Sequence, residues 1–333
     1  MENPKVAVIV LNWNGWKDTL ECLESLYRST IEDYHVIVVD NGSTDDSIER
    51  IREYCEGRLK PRSKFFKHSK ANKPIRIFDG QNLKEIKTLY RKFDPDRRLI
   101  LLPLGKNLGY AGGNNAGVKL AQILNVDYVC FLNNDAVVKP NTLKKLVYCA
   151  QKEDASIAGP LVFDYYRETI LSAGIKLDLW RGLALHQRIP QKNVDCVEGS
   201  CMLVERFLLE PRGVFDEEFF AYWEETDLCM RARKKGRKIV LCPDSRIWHK
   251  VSWHGKVRLF NLYLLLINNV KFIRRYGTWK QKLTFVPYFV CRILPLFTLR
   301  SFLKRPLKTF KLIASVIFFI IFGEELLPKE AFL

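Results

Sequence analysis

The sequence predicts an α/β fold, a mostly parallel sheet flanked by helices. Three observations carry that expectation. Short apolar runs rich in β-branched residues, of the kind that fill the middle of a sheet, alternate with stretches of helical spacing. The runs end on polar clusters, at Asn12 to Asn14, Asp40 to Ser43 and Asn133 to Asp135. Ligands in open α/β sheets bind beyond the carboxyl ends of the strands, so these clusters are expected to face one site. The 333 residues suffice for one large domain and an appendage, and 47% hydrophobic with 27% charged residues is the balance of a globular core.

Lys5 to Asn12 reads as the first buried strand. Asp18 to Tyr27 then places Leu20, Leu23, Leu26 and Tyr27 on one helical face. Tyr34 to Asp40 is a second strand, and the Ser/Thr/Asp cluster of the following NGSTDDS predicts a helix N-cap. Residues 52–98 are polar, basic and irregular, and read as a partly helical insertion between elements. Arg98 to Leu104 resumes as a third strand. Gly113 to Leu124 predicts a helix, Asp127 to Leu132 a fourth strand, and Asn141 to Ala150 another helix. Strand–helix alternation at this spacing is the signature of an α/β sheet.

The charge is divided unevenly. Of the net +17, the stretch from Met230 onward carries 22 Lys+Arg against 4 Asp+Glu, whereas the chain before it has 32 against 33. Basic regions attract nucleic acid or an anionic membrane surface. Beyond Trp253 the composition also turns apolar: Leu259 to Ile273, Leu283 to Leu299 with Arg292 and two prolines, and Leu312 to Phe322. A spanning helix needs about 20 apolar residues, so neither of the last two is expected to cross a bilayer comfortably. With Lys304, Arg305, Lys308 and Lys311 beside it, the final segment reads as a helix lying in a membrane interface. Packing of that helix in the fold, or an oligomer contact, is the alternative. No nucleic-acid-binding module is recognisable in the basic third, which disfavours that partner. The nine cysteines lack a C-x-x-C pair and read as reduced thiols in a cytosolic setting, with pairing or metal binding by Cys196 and Cys201 disfavoured. The N-terminal segment has no basic leader and does not read as a secretory signal.

Several clusters carry chemistry. Asp40, followed by Asn41, can accept a hydrogen bond from a base or ribose, or merely cap a helix. Asn107 to Gly117 holds glycines and amides that let backbone approach a ligand, but lacks the Gly-Lys-Ser/Thr of a P-loop and the G-x-G-x-x-G of a dinucleotide fold. Asp135 is a hard oxygen ligand of the sort that holds Mg²⁺ or Mn²⁺ beside a diphosphate, or part of a polar turn. Phe215 to Gly236 sets Glu224, Glu225 and Asp227 behind Phe219, Phe220, Tyr222 and Trp223. Aromatic neighbours desolvate carboxylates and raise their pKa, as suits a general base. Helical spacing puts Glu224 and Asp227 on a common face and points Glu225 elsewhere. His249, after the short strand Lys238 to Pro243, can ligate a metal through neutral imidazole; His254 competes with it.

In this order, VIVLNWNG, VVDNGSTDDS, NLGYAGGNNAG, FLNNDAVV, FFAYWEETDLCMRARKKG and WHKVS resemble the motifs of family 2 glycosyltransferases of the GT-A fold. The rhamnosyltransferase-like and galactofuranosyltransferase-like branch is the most similar. The resemblance covers about Lys5 to His254 and implies a glycosyltransferase domain over 1–255, with the insertion at about 52–98. Residues 256–333 would then form a basic, apolar helical extension that associates with membrane. It further implies an inverting, metal-dependent transfer from a nucleotide-diphosphate sugar. The basic, apolar tail, which lies outside the resemblance, adds the expectation of a glycan or lipid-linked acceptor and a peripheral place at the inner face of the cell membrane. Donor contacts would come from Asn12, Asp40, Asn41, Asn107, Gly109, Tyr110, Gly113, Asn114, Asn133 and Asn134. Asp135 and His249 would hold Mg²⁺ or Mn²⁺. The catalytic base falls on Glu225, where the family usually has Asp, so Glu224 and Asp227 remain alternatives. A non-catalytic nucleotide-sugar-binding scaffold would have no need of three acids behind an aromatic wall. A nucleotidyltransferase is disfavoured by the missing basic phosphate loop.

Overall fold

A computed structural model describes residues 4–191, 193–209, 213–251 and 259–327. Its frame is a ten-stranded mixed sheet. β1 (Val6–Asn12) and β2 (Tyr34–Asp40) pair in parallel, with α1 (Trp16–Leu26) between them in sequence. After α2 (Ser47–Cys55) come the short β3 (Arg76–Asp79) and α3 (Leu83–Thr88); β4 (Arg98–Pro103) then pairs with both β3 and β2. α4 (Gly109–Ile123) leads into β5 (Tyr128–Asn133), which pairs with the other side of β1. These five strands are all parallel, and β1 and β2 are buried on both faces, as apolar runs without polar alternation require.

Past β5 the sheet turns mixed. Next in the chain come β6 (Ala136–Val138), α5 (Thr142–Glu153), β7 (Ile157–Asp164), β8 (Ile170–Ser172) and a hairpin of β9 (Ile175–Asp178) with β10 (Leu183–His186). β11 (Cys201–Glu205) then lies antiparallel between β5 and β7. α6 (Glu224–Lys234) precedes the long β12 (Ile239–His249), which runs parallel to β7 and antiparallel to β6. The last pairing sets His249 opposite Ala136, one residue past Asp135. α7 (Leu259–Tyr276), α8 (Trp279–Tyr288), α9 (Leu294–Lys304) and α10 (Pro306–Phe322) complete the described chain. Their apolar faces form a separate buried cluster that takes in Phe219 and Trp223.

Several expectations need correction. Residues 52–98 contain a sheet strand, β3, too short and too exposed to be visible as an apolar run. The insertion is also anchored. Buried Glu24 of α1 accepts from Tyr54 Oη (3.0 Å) and the Ser69 amide (3.0 Å) and pairs with His68 (3.3 Å), while Lys73 lies 3.7 Å above the Tyr54 ring. The NGSTDDS cluster caps α2 only in part: Asp46 at the N-cap makes no side-chain cap bond, Asp45 Oδ1 accepts from the Ser47 amide (3.1 Å), and Ser43 and Thr44 turn back to Asp40, Asn12 and Asn14. The thiols are not all reduced. Cys149 of α5 and Cys242 of β12 form a disulfide with Cα atoms 6.0 Å apart, brought together by helix–strand packing across 93 residues of sequence. Finally, the prolines do not break the C-terminal apolar segment. A π-turn at Phe289–Ile293 joins α8 to α9, and Trp279–Leu299 is a 21-residue helical run long and apolar enough to cross a membrane.

α4 lies close on the sheet. A Cβ on Gly117 would stand 2.8 Å from Ile9 Cγ2, and one on Gly113 2.5 Å from Leu11 Cδ1. Alanine gains about 1 kcal/mol of helix propensity over glycine, while overpacking a core costs about 1–3 kcal/mol. Gly117→Ala should therefore lower stability by up to about 2 kcal/mol. Urea unfolding checks this; a midpoint equal to or above wild type would mean that β1 yields freely.

Candidate active site

The carboxyl ends of β1, β2 and β5 are knitted into one polar network. Asn12 Nδ2 donates to Asp40 (2.8 Å) and to Ser43 Oγ (3.1 Å), and Ser43 donates to Asp40 from both its hydroxyl (2.6 Å) and its amide (3.0 Å). Thr19, buried at the start of α1, donates to Asn12 Oδ1 (2.7 Å) and accepts from Asn134 Nδ2 (3.0 Å). Asn134 thus braces the turn after β5 against α1. A second network holds the glycine-rich segment. Asn41 Nδ2 donates to Asn107 Oδ1 and to the Gly109 carbonyl (both 3.0 Å), and Asn41 Oδ1 accepts from the Leu108 amide (2.9 Å).

The glycines have different uses from those the sequence suggests. α4 begins at Gly109 rather than Gly113, so Gly113 sits inside the helix and faces Leu11 and Asn41. It serves helix–sheet packing, not backbone approach to a ligand. Asn114 is buried and donates back to the Tyr110 carbonyl (3.0 Å). Gly109 is constrained by conformation and space: its φ is +74°, and a Cβ there would lie 2.4 Å from the Phe220 carbonyl. Tyr110 reaches over to donate to the Gly199 carbonyl (2.8 Å).

Asp135 and His249 meet because β6 and β12 are paired. Asp135 Oδ1 lies 3.1 Å from His249 Nε2, and His249 Nδ1 lies 3.2 Å from Glu198 Oε1. Asn133 Nδ2 is 3.4 Å from the same Nε2. Burial pushes the His249 pKa down, but the two carboxylates override it and raise it to about 10; burial pushes Asp135 up, but the His249 charge overrides it and holds Asp135 below its ordinary value. A cation between them would take the place of that proton. An oxygen and a nitrogen about 3 Å apart match one edge of an octahedron with bonds of about 2.1 Å. Among the described residues no three His, Cys, Asp or Glu side chains are grouped to hold a metal. The donor set therefore fits a cation whose remaining ligands are phosphate oxygens and water. His254 lies outside the described residues.

Asn133, His249, Glu198, Tyr222, Trp223, Glu224 and Glu225 all line a cavity of about 520 Å³, with Glu225 packed beside Gly199, the neighbour of Glu198. Burial pushes Glu225 up to about 7, with the charge of Glu198 adding to the rise. Glu224 is raised well above its ordinary value by burial and then by Glu225, and its Oε2 has no hydrogen-bond partner. Asp227 does not line the cavity. Its oxygens accept from Arg231 (2.7 Å), Arg275 (2.8 Å) and Tyr276 Oη (2.7 Å). The helical-face expectation joined Glu224 to Asp227; the cavity instead receives Glu224 and Glu225, because α7 covers the Asp227 side. The aromatic wall is itself unusual. Phe220, Tyr222 and Trp223 all have left-handed backbone, with φ of +58°, +70° and +74°. α7 holds that turn through Asn268 Nδ2, which lies 2.6 Å from the Phe219 carbonyl, 2.9 Å from that of Ala221 and 3.1 Å from that of Tyr222.

The family model described as glycosyl transferase family 2 matches residues 7–78, and that described as glycosyltransferase like family 2 matches residues 86–259. The chain belongs to glycosyltransferase family 2. It is 33% identical over 147 residues to the low-salt glycan biosynthesis hexosyltransferase Agl10 of Haloferax volcanii, covering 41% of this chain and 47% of that protein. It is 27% identical over 173 residues to the dTDP-rhamnosyl transferase RfbF of Shigella flexneri, covering 50% and 56%. The matched part thus spans about half the length of these relatives. In fold it is similar to the mannosyltransferase PcManGT of Pyrobaculum calidifontis, solved with GDP-Man and Mn²⁺, at a TM-score of 0.59 and 15% identity over 98% of this chain and 89% of that one.

Within this family 2 chain, Asn133, His249, Glu224, Glu225 and Tyr110 open on one cavity, and Asp135 bonds to His249 at its edge. Asn12, Asp40, Asn41 and Asn107 lie together beyond β1 and β2. Glu198 and Thr19 were not singled out by sequence reasoning. A polar residue three positions before a strand carries no pattern, and it is the pairing of β11 in the sheet that brings Glu198 to His249.

Asp227 is held in an ion-pair network with Arg231 and Arg275, away from the cavity lining. Removing one partner of a buried ion pair costs about 3–5 kcal/mol. Asp227→Ala should destabilise the fold by that order in chemical denaturation, and Asp227→Asn, which keeps an acceptor, by less. Unaltered stability in Asp227→Ala would return this residue to the list of reacting groups.

Proposed function

We propose that this chain transfers a sugar from a nucleotide-diphosphate sugar to a hydroxyl of a glycan or lipid-linked acceptor, with inversion at the anomeric carbon. One observation carries the reading: a single cavity is lined by His249, which pairs with Asp135, and by Glu225, a carboxyl whose pKa is pushed up to about 7. Its volume of about 520 Å³ lies within the usual range for small-molecule sites.

Each residue then has a role. Asp40, oriented by Asn12 and Ser43, receives a hydrogen bond from the nucleotide base, and Asn41 with Asn107 shapes the wall beside it. Asp135 and His249 would hold Mg²⁺ or Mn²⁺. The bound cation supplies charge neutralisation for the departing diphosphate. Asn133 points a side-chain amide into the same space. Glu225 takes the proton of the acceptor hydroxyl as that oxygen attacks from the face opposite the diphosphate. The sugar passes through an oxocarbenium-like transition state, as in glycoside hydrolysis. A Glu225 pKa near 7 suits this task, because a base works best when its pKa lies near the operating pH.

The C-terminal helices support membrane association at the inner face of the cell membrane. Leu296, Leu299, Leu303, Leu307 and Phe310 are exposed, and Lys304, Arg305, Lys308 and Lys311 lie among them. Apolar residues that sink into acyl chains beside cations that meet anionic headgroups suit a leaflet better than water.

Incubation with a panel of nucleotide sugars and Mn²⁺ tests the transferase reading. Metal-dependent binding or slow donor hydrolysis is expected, and a folded sample inert to every donor would sink it. Glu225→Gln should cut turnover by about 100-fold or more, the usual worth of a general base. Because a protonated Glu225 cannot accept a proton, wild-type kcat/KM should rise as pH increases through about 7 and then level off. A rising limb centred near 4.5 would move the role to another group. For the membrane, the protein should co-sediment with vesicles rich in phosphatidylglycerol and be released as salt is raised. Replacing Lys304, Arg305, Lys308 and Lys311 together by serine should weaken binding. Extraction by detergent alone, at any salt, would indicate insertion of the Trp279–Leu299 run instead.

A further inference from the structure

Glu198 lines the cavity, and the proposed chemistry gives it no role. It precedes β11, is largely buried, and is hydrogen-bonded through one oxygen. Oε1 accepts from Ser200 Oγ (2.9 Å) and faces His249 Nδ1 (3.2 Å), and Oε2 lies 3.7 Å from His186 Nδ1 on β10. Ser200 is in turn fixed by its own carbonyl, which accepts from the Asn133 amide (2.9 Å). Glu198 is thus built into the sheet from one side and touches His249 on the other. His249 presents its two ring nitrogens to two carboxylates, Nε2 to Asp135 and Nδ1 to Glu198.

That arrangement has a consequence for which nitrogen is free. A neutral imidazole, the form left when a cation takes the place of the Nε2 proton, that donates Nδ1–H to a carboxylate keeps its lone pair on Nε2. Nε2 is the nitrogen that faces Asp135, where a cation would sit. We propose that Glu198 is a positioning residue: it fixes the ring orientation and tautomer of His249 so that Nε2, with Asp135, binds the divalent cation. The inference rests on the reading of Asp135 and His249 as the cation site. Partners of this kind, which grip the far nitrogen of a ligating histidine, affect metal affinity about 10–100-fold when removed. Glu198 also explains how the β9–β10 hairpin is tied to the site, since His186 approaches its second oxygen.

Mn²⁺ binding read by electron paramagnetic resonance tests this directly, on the full chain with uridine, thymidine and guanosine diphosphates each offered in turn. Wild type should bind Mn²⁺, and Asp135→Asn should lose it. Glu198→Ala should weaken Mn²⁺ by about 10–100-fold. Glu198→Gln, whose amide oxygen still accepts from Nδ1–H, should recover most of that loss. In ¹⁵N spectra, the His249 signals of wild type should report Nδ1–H with an unprotonated, metal-bound Nε2, and that signature should be lost in Glu198→Ala. Circular dichroism and thermal unfolding show whether each variant is folded. Equal Mn²⁺ affinity in wild type and folded Glu198→Ala overturns the inference while leaving the cation site standing. Equal losses in Glu198→Ala and Glu198→Gln also overturn it, because the charge would then be a ligand itself. A wild-type protein that binds no Mn²⁺ with any of the three diphosphates overturns the cation reading beneath it.

Discussion

The grip of α7 on the turn before α6 is the contact on which the rest of the site depends. Three non-glycine residues in left-handed backbone cost about 1–3 kcal/mol each, and such a turn persists only where its surroundings impose it. Asn268 supplies that imposition, its amide group lying against three carbonyl groups of the turn, those of Phe219, Ala221 and Tyr222. Trp223 stacks on Phe272 of the same helix with ring centres 4.9 Å apart. Arg275 joins α7 to Asp227, Asp216 and Glu218. With the turn fixed, Glu224 and Glu225 leave the first turn of α6 into the cavity and Asp227 is drawn away from it. The same turn presses the Phe220 carbonyl against Gly109, so the glycine-rich end of α4 and the acids of α6 are positioned together. The C-terminal helices are therefore part of how the acids are held, whatever else they meet.

A second constraint comes from topology. A purely parallel sheet would leave β5 ending at a turn with nothing opposite. Here β6 doubles back immediately after Asp135 and pairs with the last residues of β12. That reversal puts a carboxylate and an imidazole from positions 114 residues apart side by side, and β11 brings Glu198 behind the imidazole. The polar end of β5 thus lies against β12 and α1 rather than in an open surface turn. Asn133 faces the cavity, Asn134 braces α1, and Asp135 meets His249.

The parallel half of the sheet was legible in the sequence because β1, β2, β4 and β5 are apolar runs buried on both faces. β3 was not, since a four-residue strand with exposed positions has no period to read. Asp40, Asp135, Glu225 and His249 could be singled out by residue type and motif order, and the structure sets Asp135 beside His249. Glu198, Thr19 and Asn268 were not. Their importance comes from partners that are distant in sequence, and an isolated Glu, Thr or Asn has no pattern of its own. Asp227 misled for a related reason: helical spacing tells which residues share a face, but not that α7 would cover that face with Arg275 and Tyr276. The disulfide between Cys149 and Cys242 was hidden likewise, since only the packing of α5 on β12 makes the two cysteines neighbours.

The most direct test of the central claim is a crystal structure with Mn²⁺ and a tightly binding nucleoside diphosphate, using anomalous scattering to locate the metal. The account predicts Mn²⁺ at bonds of about 2.1 Å to Asp135 and to Nε2 of His249, with the diphosphate completing its shell. It also places the nucleotide base against Asp40 and leaves Glu225 free across the cavity. A metal bound away from Asp135, or a nucleotide lying elsewhere than beyond the ends of β1 and β2, would contradict it.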